Sequence, residues 1–269
     1  MTDGTVPGRV GLIGCGQLGG AIAGALLRAG VVAPGLMTVC NRSGPAGPLA
    51  AVDGIVWTDD PQHAADASDT LLLALPPRAG QALRLRAEGA LVISVMAGVT
   101  RDQLRAITGA ERLARAMSNP AAAMGLAYSP FYAPGLNAAD KATVRALFSA
   151  CGTTDEVPAE GQIDVFTAIT GPVPGFVAYF AAGMQHYAEG QGVSPEVARR
   201  AVVQLFHAAG ATLAAGERPP AAFVRDMLDY AGTTAAGLAV LEASSLRAAL
   251  ADGLDAARRR CLTIAGEPG

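Results

Sequence analysis

The apolar positions of this chain change their spacing once, near residue 157. Before that point short β-branched or leucine-rich runs alternate with helical stretches, and the runs "RVGLIG", "LMTVC", "TLLLALP" and "ALVISVMAG" each close on a small or turn-forming residue. Such alternation predicts βαβ units around a mostly parallel sheet. Trp57 falls outside these runs, in a loop-like segment. Beyond residue 157 no strand pattern appears. Val197, Ala201, Val202, Leu205, Phe206, Ala209 and Leu213 recur at helical spacing behind Ser194, Pro195 and Glu196, which suit an N-cap, a first-turn proline and a first-turn acid. Leu246, Ala249, Leu250, Gly253, Leu254, Ala257, Cys261 and Leu262 predict a further helix. The polar stretch "DEVPAEGQ" is the natural boundary, so an α/β domain is expected over residues 1–160 and an all-α domain over 161–269. The apolar stripes of that second half are expected to bury themselves against a second subunit.

The glycines of the first expected strand and helix supply the first chemistry. Gly14, Gly16 and Gly19 form GxGxxG directly after a strand and at the opening of a helix, with Gln17 and Leu18 between them. Gly14 permits the tight turn, Gly16 lets a pyrophosphate approach the backbone, and Gly19 lets the helix pack on the strand. The unpaired N–H groups of the helix N-terminus then face the phosphates. This predicts a Rossmann-type dinucleotide-binding domain. At the end of the second strand, "CNRSG" lacks the acid that would hold the ribose hydroxyls of NAD. Arg42 can instead grip a 2′-phosphate, with Asn41 and Ser43 assisting, so the expected cofactor is NADP(H). A solvated loop arginine is the alternative.

Composition narrows the partners. Of 269 residues, 51% are hydrophobic and 16% charged, enough for a sizeable core and unlike a disordered chain. The longest uninterrupted apolar runs, residues 71–75 and 176–184, fall well short of the roughly 20 residues of a membrane span. With no secretory pattern at the start, a cytoplasmic protein without membrane contact is expected. A net charge of −3 and no basic stripe argue against nucleic acid. Cys15, Cys40, Cys151 and Cys261 stand far apart, and His63, His186 and His207 lack ligand spacing, so no metal site is expected.

The stretch "DYAGTTAAGL", residues 229–238, raises the second chemical question. Gly232 is expected to let the chain turn, so that the hydroxyls of Thr233 and Thr234 and the first N–H groups of the next helix converge on an anion. An ordinary threonine N-cap that binds nothing fits the same residues. Here the chain resembles the pyrroline-5-carboxylate reductases over nearly all its length. The resemblance is carried by the GxGxxG, "NRS" at 41–43, "MSN" at 117–119, "AITGPVPGF" at 168–176 and, most specifically, "AGTTAAGLAVLE" at 231–242. It implies an NADPH-binding Rossmann domain and an all-helical domain that interlocks in a homodimer, often within a larger ring. It also implies reduction of a small cyclic imine to an amino acid. By the same resemblance Gly232, Thr233 and Thr234 hold the substrate carboxylate, Thr234 bonds the imine nitrogen, and Ala97, Gly98 and Asn119 lie beside the nicotinamide.

Three departures cluster where substrate and cofactor should meet. Where the family usually has Ser-Gly-Ser-Gly-Pro, this chain has Thr170, Gly171, Pro172, Val173 and Pro174. Asp229, Tyr230 and Ala231 stand where it usually has Ser-Pro-Gly, and Ala74, Leu75, Pro76 and Pro77 where it commonly has Ala-Val-Lys-Pro. Thr170, Asp229 and Tyr230 thus join the expected substrate site, and Ala74 and Pro76 the cofactor site. An imine that arrives protonated accepts hydride without a further acid, whereas a ketone needs a proton donor. The chain has one lysine, Lys141, in a polar segment of the first domain. A ketone reductase using the Tyr230 phenol as acid, or an inactive NADP-binding dimeric regulator, remain the alternatives. Asp229 would repel an anionic substrate and stabilise an iminium, which points to an acceptor less anionic than pyrroline-5-carboxylate.

Overall fold

The computed structural model describes residue 6 and residues 8–216 and 218–264. The chain divides into two compact units, one running through Gly171 and taking up the chain again from Ala256, the other Pro172–Asp255.

In the first unit six parallel strands lie in the order β3-β2-β1-β4-β5-β6: β1 (Val10–Ile13), β2 (Met37–Cys40), β3 (Val56–Thr58), β4 (Thr70–Leu73), β5 (Leu91–Ser94) and β6 (Leu113–Ala116). β7 (Ala127–Tyr128) pairs separately with β9 (Gly152–Thr153), and β8 (Phe131–Tyr132) closes the main sheet antiparallel to β6. β1, β2, β4 and β5 are buried at all four positions, which is why they read as continuous apolar runs. Helices cover both faces: α1 (Gln17–Arg28), α2 (Pro61–Asp66), α3 (Pro77–Ala82), α4 (Arg101–Thr108) and α5 (Ala138–Ser149). One face packs Ile22 and Leu26 of α1 and Phe148 of α5 onto Leu12, Val39 and Ile93. The other packs Leu104 and Ile107 of α4 onto Ile13, Leu71 and Leu73. Side chains set the helix starts, with Asp60 capping α2, a Thr100–Gln103 capping box on α4 and Asn137 capping α5.

Trp57 corrects the loop expectation, because it lies in β3 opposite Val39 of β2. β6 is equally unannounced. Its Arg115 is 1% exposed and is neutralised by Glu160 at 3.0 Å and Asp164 at 2.8 Å, both on α6 (Glu160–Thr170). A guanidinium survives such burial only when paired and hydrogen-bonded.

The second unit is helical: α7 (Val173–Gly190), α8 (Pro195–Ala215), α9 (Pro220–Asp229), α10 (Thr233–Glu242) and the start of α11 (Leu246–Ile264). α7 packs on α8, and α9 on α10. Many large apolar side chains stay uncovered, among them Tyr179, Tyr187, Val203, Leu205 and Val240. Exposure of that kind marks a protein or membrane contact. The tract Glu160–Gly190 is in fact long and apolar enough to cross a membrane by length and composition. Its first part is held otherwise, since Asp164 is bonded to the buried Arg115 of β6.

Candidate active site

The order β3-β2-β1-β4 reverses the winding of the sheet between β1 and β4, and a crevice opens at their carboxyl ends. Gly14 follows β1 at φ 100, and its N–H donates to the Cys40 carbonyl at 3.1 Å. A Cβ there would stand 2.7 Å from the Ala74 carbonyl oxygen. Gly16 is the N-cap of α1, and a Cβ on it would meet nothing within 4 Å. A Cβ on Gly19 would come within 2.0 Å of the Gly14 carbonyl oxygen. The three glycines thus make the turn, leave room for an approaching group, and allow the helix to seat on the strand. Gln17 is exposed, and Leu18 packs partly on the core, so in the first turn of α1 it is backbone N–H groups that remain unpaired.

The crevice holds about 480 Å³ and is lined by Gly14, Gly16, Asn41, Arg42, Ala74 and Pro76 among others. The Asn41 amide is engaged in its own turn, donating to the Gly44 carbonyl at 2.6 Å, and Ser43 is exposed beside it. Arg42 is exposed and pairs with no described residue, leaving an exposed cation at the rim. Cys15, Cys40, Pro61, Leu75 and Leu83 also line this space and had no chemical signature in the sequence beyond their nearness to motif residues. Burial raises the thiol pKa of Cys15; burial, then the Asp60 and Asp59 charges, raise that of Cys40. Neither thiol is activated.

Two neighbouring strands bring further residues to the same edge of the sheet. Ala97 follows β5 and packs with Met117 and Ile163, and Gly98 turns the chain at φ 71. After β6, the Asn119 side chain accepts from the Ala121 N–H at 3.0 Å and donates to the Thr170 carbonyl at 3.3 Å. Thr170 is 5% exposed, and its hydroxyl donates to the Phe166 carbonyl at 2.8 Å. With its hydrogen engaged there, that hydroxyl can only accept from a ligand. Among the described residues no three His, Cys, Asp or Glu side chains gather as a metal site.

In the second unit α9 ends at Asp229 and α10 starts at Thr233. The turn between them falls on Ala231, at φ 55, whereas Gly232 lies at φ −90. The expectation that Gly232 lets the chain turn is corrected to this extent: the left-handed residue is Ala231, and Gly232 is extended. Gly232 is the N-cap, so neither threonine caps α10, and both hydroxyls are exposed. The α10 N-terminus keeps its first N–H groups unpaired beside them. Asp229 and Tyr230 flank this point and are also exposed.

Known proteins resemble this chain over most of its length. A family model described as pyrroline-5-carboxylate reductase dimerisation matches residues 160–264. One described as NADP oxidoreductase, coenzyme F420-dependent, matches residues 9–98. The pyrroline-5-carboxylate reductase of Synechocystis sp. is 30% identical over 258 residues, covering 94% of this chain and 96% of its own. That of Escherichia coli is 32% identical over 259 residues, covering 91% and 94%. The crystal structure of Plasmodium falciparum pyrroline carboxylate reductase with NADP bound shares the fold at a TM-score of 0.79 and 22% identity, over 97% of this chain and 99% of that one.

Proposed function

The chain belongs to the pyrroline-5-carboxylate reductase family, and from that premise we propose that it is an NADP(H)-dependent oxidoreductase reducing the C=N bond of a small cyclic imine. Pyrroline-5-carboxylate going to proline, or a related imine of a specialised pathway, is the reaction. The observation that carries this reading is the Gly14–Gly16–Gly19 turn at the β1/β4 switch point, in a chain akin to a family member over 94% of its length. The open space at Gly16 and the exposed Arg42 suit a phosphorylated dinucleotide.

NADPH, when bound, supplies the hydride. In our assignment Gly14, Gly16 and Gly19, with the Gln17 and Leu18 N–H groups, hold the pyrophosphate, and Asn41, Arg42 and Ser43 hold the 2′-phosphate. Ala74, Pro76, Ala97, Gly98 and Asn119 wall the nicotinamide. Thr170, Asp229, Tyr230, Gly232, Thr233 and Thr234 receive the acceptor, and the Thr234 hydroxyl, the catalytic contact, orients the imine nitrogen. No side chain has to deliver a proton to an imine that binds already protonated. Lys141 lies on α5, where its ammonium pairs with Glu156, and it is not among the residues that line the crevice. Catalysis here rests on positioning, which converts a bimolecular encounter into an oriented one.

Residues 1–160 form the cofactor domain in this reading and 161–269 the domain for substrate and dimerisation. The uncovered apolar faces of α7 and α8 suit a homodimer of a cytoplasmic enzyme, with dimers joined into a larger ring. NADPH oxidation measured with a panel of cyclic imines and matched ketones tests the proposal, and turnover of imines is expected. Faster turnover of ketones would replace it with a ketone reductase. NADPH binding with no turnover at all would leave a regulatory protein.

A further inference from the structure

The turn between α9 and α10 carries three features that do not suit a site for an anion alone. Asp229 is the last residue of α9, the helix end at which a negative charge is disfavoured. Its carboxylate makes no hydrogen bond or ion pair with any described residue, not even with Arg225 one turn earlier. Ala231 is the only described residue other than glycine with a positive φ. That conformation is one an L side chain rarely adopts. Third, the Tyr230 ring lies against the N-cap of α10, since a Cβ on Gly232 would stand 3.3 Å from its Cδ1 and Cε1 atoms. The ring is 85% exposed in the single subunit, so it is not packed in that subunit's core. An unpaired carboxylate, an uncovered aromatic ring and the two free hydroxyls of Thr233 and Thr234 therefore border one short turn.

We infer that this turn selects a cyclic iminium that carries no carboxylate, with Asp229 and Tyr230 as the residues that set the preference. The inference rests on the proposed role of the Gly232–Thr234 segment in receiving the acceptor. A substrate carboxylate approaching the α10 amides would meet the like charge of Asp229. A cationic C=N–H group gains from that charge and from the face of the Tyr230 ring. The chemistry balances without a protein acid. Hydride, with its electron pair, forms a C–H bond at the iminium carbon. The C=N π pair moves to nitrogen and neutralises it, and NADPH leaves as NADP⁺. The proton on nitrogen comes from solvent before binding.

The test compares kcat/KM for 1-pyrroline and for pyrroline-5-carboxylate, which share a ring and differ by the carboxylate. It uses the full-length protein and the variants Asp229→Asn, Asp229→Glu and the triple change Asp229→Ser, Tyr230→Pro, Ala231→Gly. NADPH fluorescence titration of each variant reports that the cofactor domain is intact. We expect the wild type to favour 1-pyrroline by about tenfold or more, the worth of one charge-assisted contact. Asp229→Asn should lower kcat/KM for 1-pyrroline and raise it for pyrroline-5-carboxylate, Asp229→Glu should keep the wild-type preference, and the triple change should reverse it. A wild type that favours pyrroline-5-carboxylate overturns this inference and leaves the proposed function standing. Equal effects of Asp229→Asn on both imines overturn it as well. Absence of turnover with every imine overturns both.

Discussion

Arg115 on β6 and Asp164 on α6 form an ion pair of 2.8 Å in which the arginine side chain is 2% exposed and the aspartate 12%. A second guanidinium nitrogen donates to Glu160 at 3.0 Å, and the same Glu160 oxygen accepts the Arg101 N–H at the start of α4 at 2.8 Å. One buried cation thus ties β6, the distant helix α6 and the start of α4 into a single network. Removing one acid strands part of that charge in a medium that cannot solvate it. Asp164→Ala should therefore destabilise the protein by about 3–5 kcal/mol, read as a lowered urea midpoint. An unchanged midpoint would show that the pair is decoration.

Arg42 stands exposed at the rim of the crevice with no partner among the described residues. If it grips the 2′-phosphate, Arg42→Ala should raise KM for NADPH about 10-fold or more while KM for NADH barely moves, as expected for losing a charge-assisted hydrogen bond. Equal changes for both cofactors would remove the residue from that role.

The three glycines are not interchangeable. A methyl group on Gly16 meets no atom of the described residues beyond its chain neighbours within 4 Å, whereas one on Gly19 collides with the Gly14 carbonyl oxygen at 2.0 Å. Gly16→Ala should keep wild-type thermal stability and lose NADPH affinity by about tenfold. Gly19→Ala should lower the melting temperature as well, because backbone must move. Fluorescence titration and thermal melts on the two variants separate these outcomes.

The cysteines give a pH prediction. Burial pushes the Cys151 thiol up to about 12, against an ordinary value near 9, and only partly offset by Arg28. The folded state favours the neutral thiol, so its contribution is complete below pH 9 and is lost as pH rises from there toward 12. The urea midpoint should decline over that alkaline range, and decline less steeply in Cys151→Ala. A parallel decline in both proteins would assign the loss to other groups.

How much could be read beforehand follows from the physics of each element. β1, β2, β4 and β5 announced themselves because strands covered on both faces must be apolar throughout. β6 did not, since "LARA" is two alanines around a buried arginine, and the acids that make it tolerable lie on α6, far along the chain. β3 has three residues, and β7, β8 and β9 two each, too few for any period. Gly14, Gly16, Gly19 and Arg42 were legible because turn geometry and charge demand those residue types. Leu75 and Cys40, which line the same crevice, are ordinary apolar residues with nothing to distinguish them. The hydroxyl of Thr170 was legible by type only. Its engagement with the Phe166 carbonyl depends on a helical conformation that its neighbours impose.

In the proposed reaction this chain moves a hydride from NADPH onto the carbon of a C=N bond. Turnover of 1-pyrroline with NADPH deuterated at the transferred position of the nicotinamide, followed by mass spectrometry of the product, tests it most directly. One deuterium per molecule of pyrrolidine formed is expected, on the former imine carbon. Product without deuterium, or no product from any cyclic imine by a protein that still binds NADPH, would contradict it.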